Sequence, residues 1–140
     1  MTDVVDQYIA FARSMIGAQW RHRGRKPWAV DCLGLISLSL DHAGIEIRDR
    51  TDYGRDPWNE GLRQELRDHF GEPVQKWENG DIALMRWANI PEPSHVGFIA
   101  NYAHGGLSLI HAYSKQAVIE HRIDDKWRSM IVEAYRPWRK

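Results

Sequence analysis

The spacing of apolar residues changes near residue 80, and that change limits what the chain can fold into. Before it the spacing is helical. Val5, Tyr8, Ile9, Ala12, Met15 and Ile16 share one helical face, with Thr2 placed to cap that helix and Gly17 to end it. Leu35, Ile36, Leu40 and Ala43 form a second stripe, with Asp31 as a natural cap before it and Gly44 as a stop behind. A helix over about 32–43 is predicted. Trp58, Leu62, Leu66 and Phe70 recur every four residues behind Asp56-Pro57, a dipeptide suited to open a helix, and Gly71 closes it. Residues 18–30 and 45–56 read as loops. After residue 80 the segments shorten. Residues 82–87, 95–101, 107–113, 117–123 and 130–135 are separated by turn residues and read as antiparallel strands. Helices first and strands second predict an α+β fold. The 140 residues suit a single domain over 1–140.

Several function classes are disfavoured at once. The chain carries 19 basic and 19 acidic residues, so bulk attraction to nucleic acid or anionic lipid is not expected. The local cluster Arg21, His22, Arg23, Arg25 and Lys26 has no nucleic-acid-binding pattern around it and reads as a solvated loop. No apolar run reaches the ~20 residues of a membrane span. Asp3, Asp6 and Gln7 interrupt the first apolar residues, so no signal peptide is expected and the chain should be cytoplasmic when made. A single cysteine rules out an intramolecular disulfide and every multi-cysteine metal motif.

That cysteine is the candidate nucleophile. Cys32 follows the capping Asp31, so it falls in the first turn of the predicted helix. Free N–H groups and the helix dipole favour negative charge there, which predicts thiolate character and donors for an oxyanion. A general base must come from elsewhere. Of the seven histidines, His22, His42, His69, His104 and His121 read mostly as surface or packing residues, while His95 and His111 stand out on predicted strands. His104-Gly105-Gly106 is a turn signal between those strands. A hairpin centred there pairs Gly97 with His111, so alternation puts His95 and His111 on one face as diagonal neighbours. The reading is a relay in which His95 takes the Cys32 proton and His111 orients His95. A one-residue slip would separate them. Two satisfied strand histidines are the structural alternative.

Four blocks in order then resemble the NlpC-type cell-wall cysteine peptidases, a papain-like superfamily. They are I-G-A-Q-W-R-H-R-G (16–24), D-C-L-G-L (31–35), N-G-D-I-A-L-M (79–85) and S-H-V-G-F-I (94–99), with His111 following at the place of the third, orienting residue. The resemblance implies a nucleophile helix packed on a five- or six-stranded antiparallel sheet. It also implies catalytic Cys32, His95 and His111, no metal and no cofactor. The implied reaction is hydrolysis of peptidoglycan stem peptides, typically between D-glutamate and a diamino acid. The D-C-L-G-L form with Trp20 looks most like peptidases of phage and gene-transfer-agent tails, which implies tail proteins as partners and action at the cell wall. By analogy Trp20, Asp31 and Ser94 contact substrate, against the plainer roles of helix capping for Asp31 and strand-end bonding for Ser94. Trp20 and Leu33 stand where the family commonly has Tyr and Ser, so the pocket is expected to differ. The alternatives are a non-catalytic tail adaptor, an amidase or acyltransferase on the same scaffold, and a zinc site from Cys32, His95 and His111, whose spacing matches no zinc motif.

Overall fold

A computed structural model describes residues 3–49 and 61–138. The first helix, α1 (Val4–Ser14), is capped by Asp3, whose carboxylate accepts the Val5 N–H at 3.3 Å. Thr2, the expected cap, lies outside the described residues. Tyr8, Ile9 and Ala12 are buried as the spacing predicts, but the helix stops at Ser14 and leaves Ile16 46% exposed. Ile16 is therefore not part of the helical face.

The second helix, α2 (Cys32–His42), starts where the sequence places it. Asp31 caps it by accepting the Gly34 N–H at 2.8 Å. Its inner side carries Leu35 and Leu40, each fully buried. Burial of each contributes about 1.5–3 kcal/mol. Between the two helices the predicted loop contains three two-residue strands: β1 (Gln19–Trp20), β2 (Arg25–Lys26) and β3 (Ala29–Val30), ordered β1-β3-β2. Strands this short have no readable periodicity. Remote partners hold them, including Gln19 N–H to the Trp28 carbonyl at 3.0 Å and Trp20 N–H to the Gln116 carbonyl at 3.2 Å. This small sheet lies flush on α2, because Gly24 and Gly34 meet backbone to backbone. A Cβ on Gly34 would collide with the Gly24 carbonyl oxygen.

The third helix, α3 (Leu62–Phe70), buries Leu62, Leu66 and Phe70, the expected every-fourth stripe. Its predicted beginning at Asp56, Pro57 and Trp58 lies outside the described residues. The second half of the chain is β4 (Ile82–Met85), β5 (His95–Asn101), β6 (Leu107–Ala112), β7 (Val118–Arg122) and β8 (Ile131–Tyr135). They form one antiparallel sheet in the order β7-β6-β5-β4-β8. A short helix, α4 (Asp125–Met130), precedes β8; the sequence did not signal it, because six residues are too few for a helical repeat. Asp124 caps it through the Trp127 N–H at 2.9 Å.

The two faces of the sheet differ. Val96, Phe98, Ala100 and Ile110 pack with Tyr8, Leu35, Ile36 and Leu40, so α1 and α2 cover this face. Ala83, Met85, Ile99 and Leu109 pack on the opposite face, with Ile123, Ile131 and the Trp127 ring. His95 pairs directly with Met85, and Phe98 with Ile110. Alternation therefore puts His95 and His111 on the second face, while Cys32 approaches from the first.

Candidate active site

Cys32 is 7% exposed and sits at the start of α2, beside the first residues of β5. Its sulfur accepts from the backbone N–H groups of Leu33 and of Val96, the residue after His95. Burial first, and the Asp31 carboxylate second, push the thiol up to about 12; the two N–H groups and the Arg25 guanidinium pull the other way without reversing it. The thiolate expected from the helix N-terminus is thus not the resting form. Local dipole effects lose here to desolvation under the sheet.

Asp31 holds this end of α2 in place. It is 4% exposed and accepts from Gly34 N–H at 2.8 Å, Arg23 N–H at 2.9 Å and Arg25 Nη1 at 2.9 Å. Arg25 reaches on to Asp49 at 2.9 Å. The basic run read as a solvated loop therefore contributes Arg25, only 16% exposed, to a part-buried ion pair. Trp20 lies close by in sequence register, since it pairs with Val30, two residues before Cys32, and stacks on His22 with centroids 6.5 Å apart.

His95, the first residue of β5, is 4% exposed. Its Nε2 lies 2.8 Å from Nδ1 of His111, which is fully buried on β6. The pairing register agrees with the hairpin expected from the Gly105-Gly106 turn. Gly97 makes the contact possible: a Cβ there would stand 2.8 Å from the His111 Cβ and 2.9 Å from the Ile110 carbonyl oxygen. Burial pushes His95 down to about 3. Burial also pushes His111 down to about 2, with His95 and His121 adding to it. Both rings are therefore neutral at ordinary pH.

The array does not stop at His111. Its Nε2 lies 2.9 Å from Nε2 of His121 on β7, and His121 Nδ1 lies 3.0 Å from the Arg122 carbonyl. By sequence His121 reads as an ordinary surface or packing histidine; the structure places it at the end of the array. A signal was available, because the β6–β7 register makes it a diagonal neighbour of His111 on the same face. Trp87, Tyr113 and Trp127 enclose the three rings. Trp87 is 5.1 Å from His95, Tyr113 is 5.5 Å from His111, and Trp127 is 5.2 Å from His111 and 4.5 Å from His121, all between centroids. Ser94, just before His95, is 8% exposed and its Oγ has no hydrogen-bond partner among the described residues. The ring nitrogens facing one another in the histidine pair are engaged together rather than splayed around a common point. Among the described residues no three His, Cys, Asp or Glu side chains are arranged to hold a metal. None of the described helices is long and apolar enough to cross a membrane.

The sequence of this α+β chain matches a family model, NlpC/P60, over residues 17–136. The chain belongs to the NlpC/P60 family. Solved structures with a similar fold include an NLP/P60 family protein of Staphylococcus aureus (TM-score 0.70, 18% identity, 100% of this chain and 43% of that one). Another is an NlpC/P60 family protein of Bacillus cereus (TM-score 0.72, 17% identity, 99% and 42%). A third is the NlpC/p60 domain of the peptidoglycan hydrolase SagA (TM-score 0.61, 20% identity, 94% and 97%). The chain spans less than half the length of the first two. No curated protein is significantly similar in sequence. Within this NlpC/P60 domain the Cys32 sulfur lies on the Val96 N–H and the preceding His95 bonds His111, whereas Asp31 is turned into the scaffold by three internal donors.

Proposed function

We propose that the chain is a single-domain cysteine endopeptidase of peptidoglycan stem peptides, cutting next to D-glutamate. The observation that carries this reading is the join at β5: the Cys32 sulfur rests on the Val96 N–H, and the adjacent His95 is held by His111 at 2.8 Å. His95 Nε2 is engaged by His111, which leaves Nδ1 as the nitrogen available to the thiol. As the sulfur attacks the scissile carbonyl carbon, the thiol proton passes to His95 Nδ1. The resting thiol and imidazole are both neutral, so charge separation accompanies attack rather than preceding it. N–H groups of the first turn of α2 stabilise the oxyanion. The C–N bond then breaks, the amine leaves with the proton from His95, and a thioester to Cys32 remains. Water, deprotonated by His95, hydrolyses that thioester and returns the sulfur to the thiol.

Trp20 and Ser94 are the substrate contacts in this reading. The buried, unpartnered Ser94 hydroxyl supports its part, because such a group is costly unless a ligand satisfies it. Asp31 is assigned to capping and orientation of α2 instead. The placement in a phage-like tail rests on the sequence resemblance alone. Particles that assemble normally with Cys32→Ala but fail without the chain would mark a structural adaptor instead.

Digestion of purified peptidoglycan, with fragments identified by mass, tests the activity. Wild type should release fragments whose new ends define the scissile bond. Cys32→Ala should release them slower by on the order of 10⁴-fold or more. Fragments that persist undiminished in that variant would sink the peptidase reading.

A further inference from the structure

The hydrogen-bond chain His95–His111–His121–Arg122 has a fixed direction, and its fixed point is at the far end. A backbone carbonyl oxygen only accepts, so His121 Nδ1, 3.0 Å from the Arg122 oxygen, must carry its proton. A neutral imidazole has one N–H, which leaves His121 Nε2 bare. His111 Nε2, 2.9 Å away, therefore donates to it. That consumes the single proton of His111, so its Nδ1 is bare and accepts from His95 Nε2–H at 2.8 Å. His95 Nδ1 is then the unprotonated nitrogen.

We infer that His121 is a positioning residue that, anchored on the Arg122 carbonyl, sets the tautomers of all three rings and so makes Nδ1 the basic nitrogen of His95. The inference rests on the reading of His95 as the general base. His111 alone does not suffice. Its ring accepts or donates equally well toward His95, and without a directional partner on its other side the pair has two orders of similar energy. In one of them His95 Nδ1 carries a proton and is no longer a base. The aromatic enclosure adds to the effect. Trp87, Tyr113 and Trp127 crowd the rings, which limits water as a substitute acceptor for His111. The depressed basicity of His95 and His111 supports the neutral-ring bookkeeping. His121 itself is half-buried and on an edge strand, so its substitution leaves the core intact.

The test is nitrogen NMR of the full chain with ¹⁵N-labelled histidine at about pH 8, above the ordinary imidazole pKa. Wild type should show Nε2–H with bare Nδ1 for His95 and His111, and Nδ1–H for His121. His121→Leu removes the acceptor and should populate the Nδ1–H tautomer of His111. It should also lower kcat on a soluble stem peptide by at least about tenfold, with little change in KM. His121→Gln offers an acceptor to His111 and a donor to Arg122 in the same order, and should restore both the tautomers and kcat. Nδ1–H on His111 in wild type would overturn the inference. So would tautomers unchanged in His121→Leu, or a His121→Gln variant that folds and fails to restore them. The tautomers are read without turnover. Wild-type tautomers as stated, together with fragments independent of Cys32, would therefore reject the peptidase reading while leaving the role of His121 intact.

Discussion

Asp31 and His95 are buried equally, each 4% exposed; Asp31 precedes Cys32 in the chain, and His95 precedes Val96, whose N–H meets the Cys32 sulfur. Their surroundings are opposite in kind. The Asp31 carboxylate is met by a helix N–H, a loop N–H and a guanidinium, so its charge is satisfied from three directions. His95 has one nitrogen bonded to a neutral ring and aromatic side chains around it, so burial strips it of charge. A buried group whose partners are complete holds structure. One that burial keeps uncharged is, in the proposed function, the group that takes the thiol proton. The same contrast separates Arg25, drawn into the Asp31 pair, from the buried His95–His111 pair, which carries no formal charge.

Breaking the Asp31 side should give the largest loss of stability. Asp31→Ala leaves Arg25 without its buried partner and the α2 cap unmade. The expected cost is about 3–5 kcal/mol, read as a lowered denaturation midpoint. A loss below about 1 kcal/mol would mean that Asp49 and the Gly24 carbonyl satisfy Arg25 without Asp31.

Acid probes the histidine side. The unfolded rings bind protons below about 6.5, whereas the folded His95 and His111 resist until about 3 and about 2. Stability is therefore full above the unfolded pKa and falls as pH drops below it. The slope is up to about 1.4 kcal/mol per pH unit for each ring, measurable as the midpoint of urea denaturation between about pH 7 and 5. A flat profile over that range would contradict the neutral buried pair.

Gly97→Ala sharpens the comparison with a smaller structural cost. The added methyl meets the His111 Cβ and the Ile110 carbonyl, and overpacking of this kind costs about 1–3 kcal/mol. It should displace His111 from His95 and lower kcat more than it lowers stability, whereas Asp31→Ala should do the reverse. Equal effects on both would dissolve the distinction between scaffold and reactive side.

Much of this is legible in the sequence. The cap at Asp31 and the stop at Gly44 define α2 locally, and the turn at 104–106 fixes a hairpin register whose period of two then aligns His95 with His111. The strands of the small sheet were not legible, because Trp20 is held by Gln116 and Gln19 by Trp28, partners that no local pattern announces. The short α4 escaped for lack of length. The place of His121 depends on the β6–β7 pairing, a contact between strands rather than a local pattern.

The sequence by itself therefore determined the order of the first three helices and the five long strands, the place of Cys32 at a helix start and the facing of His95 and His111. Each follows from short-range rules of capping, turns and alternation. The tertiary structure decided the protonation of the site. Cys32 is a thiol and His95 a neutral ring because helix and sheet together exclude water from both, and desolvation outweighs the local dipole that the sequence advertised. It also decided the direction of the histidine chain, which is set by one backbone carbonyl two strands away from His95.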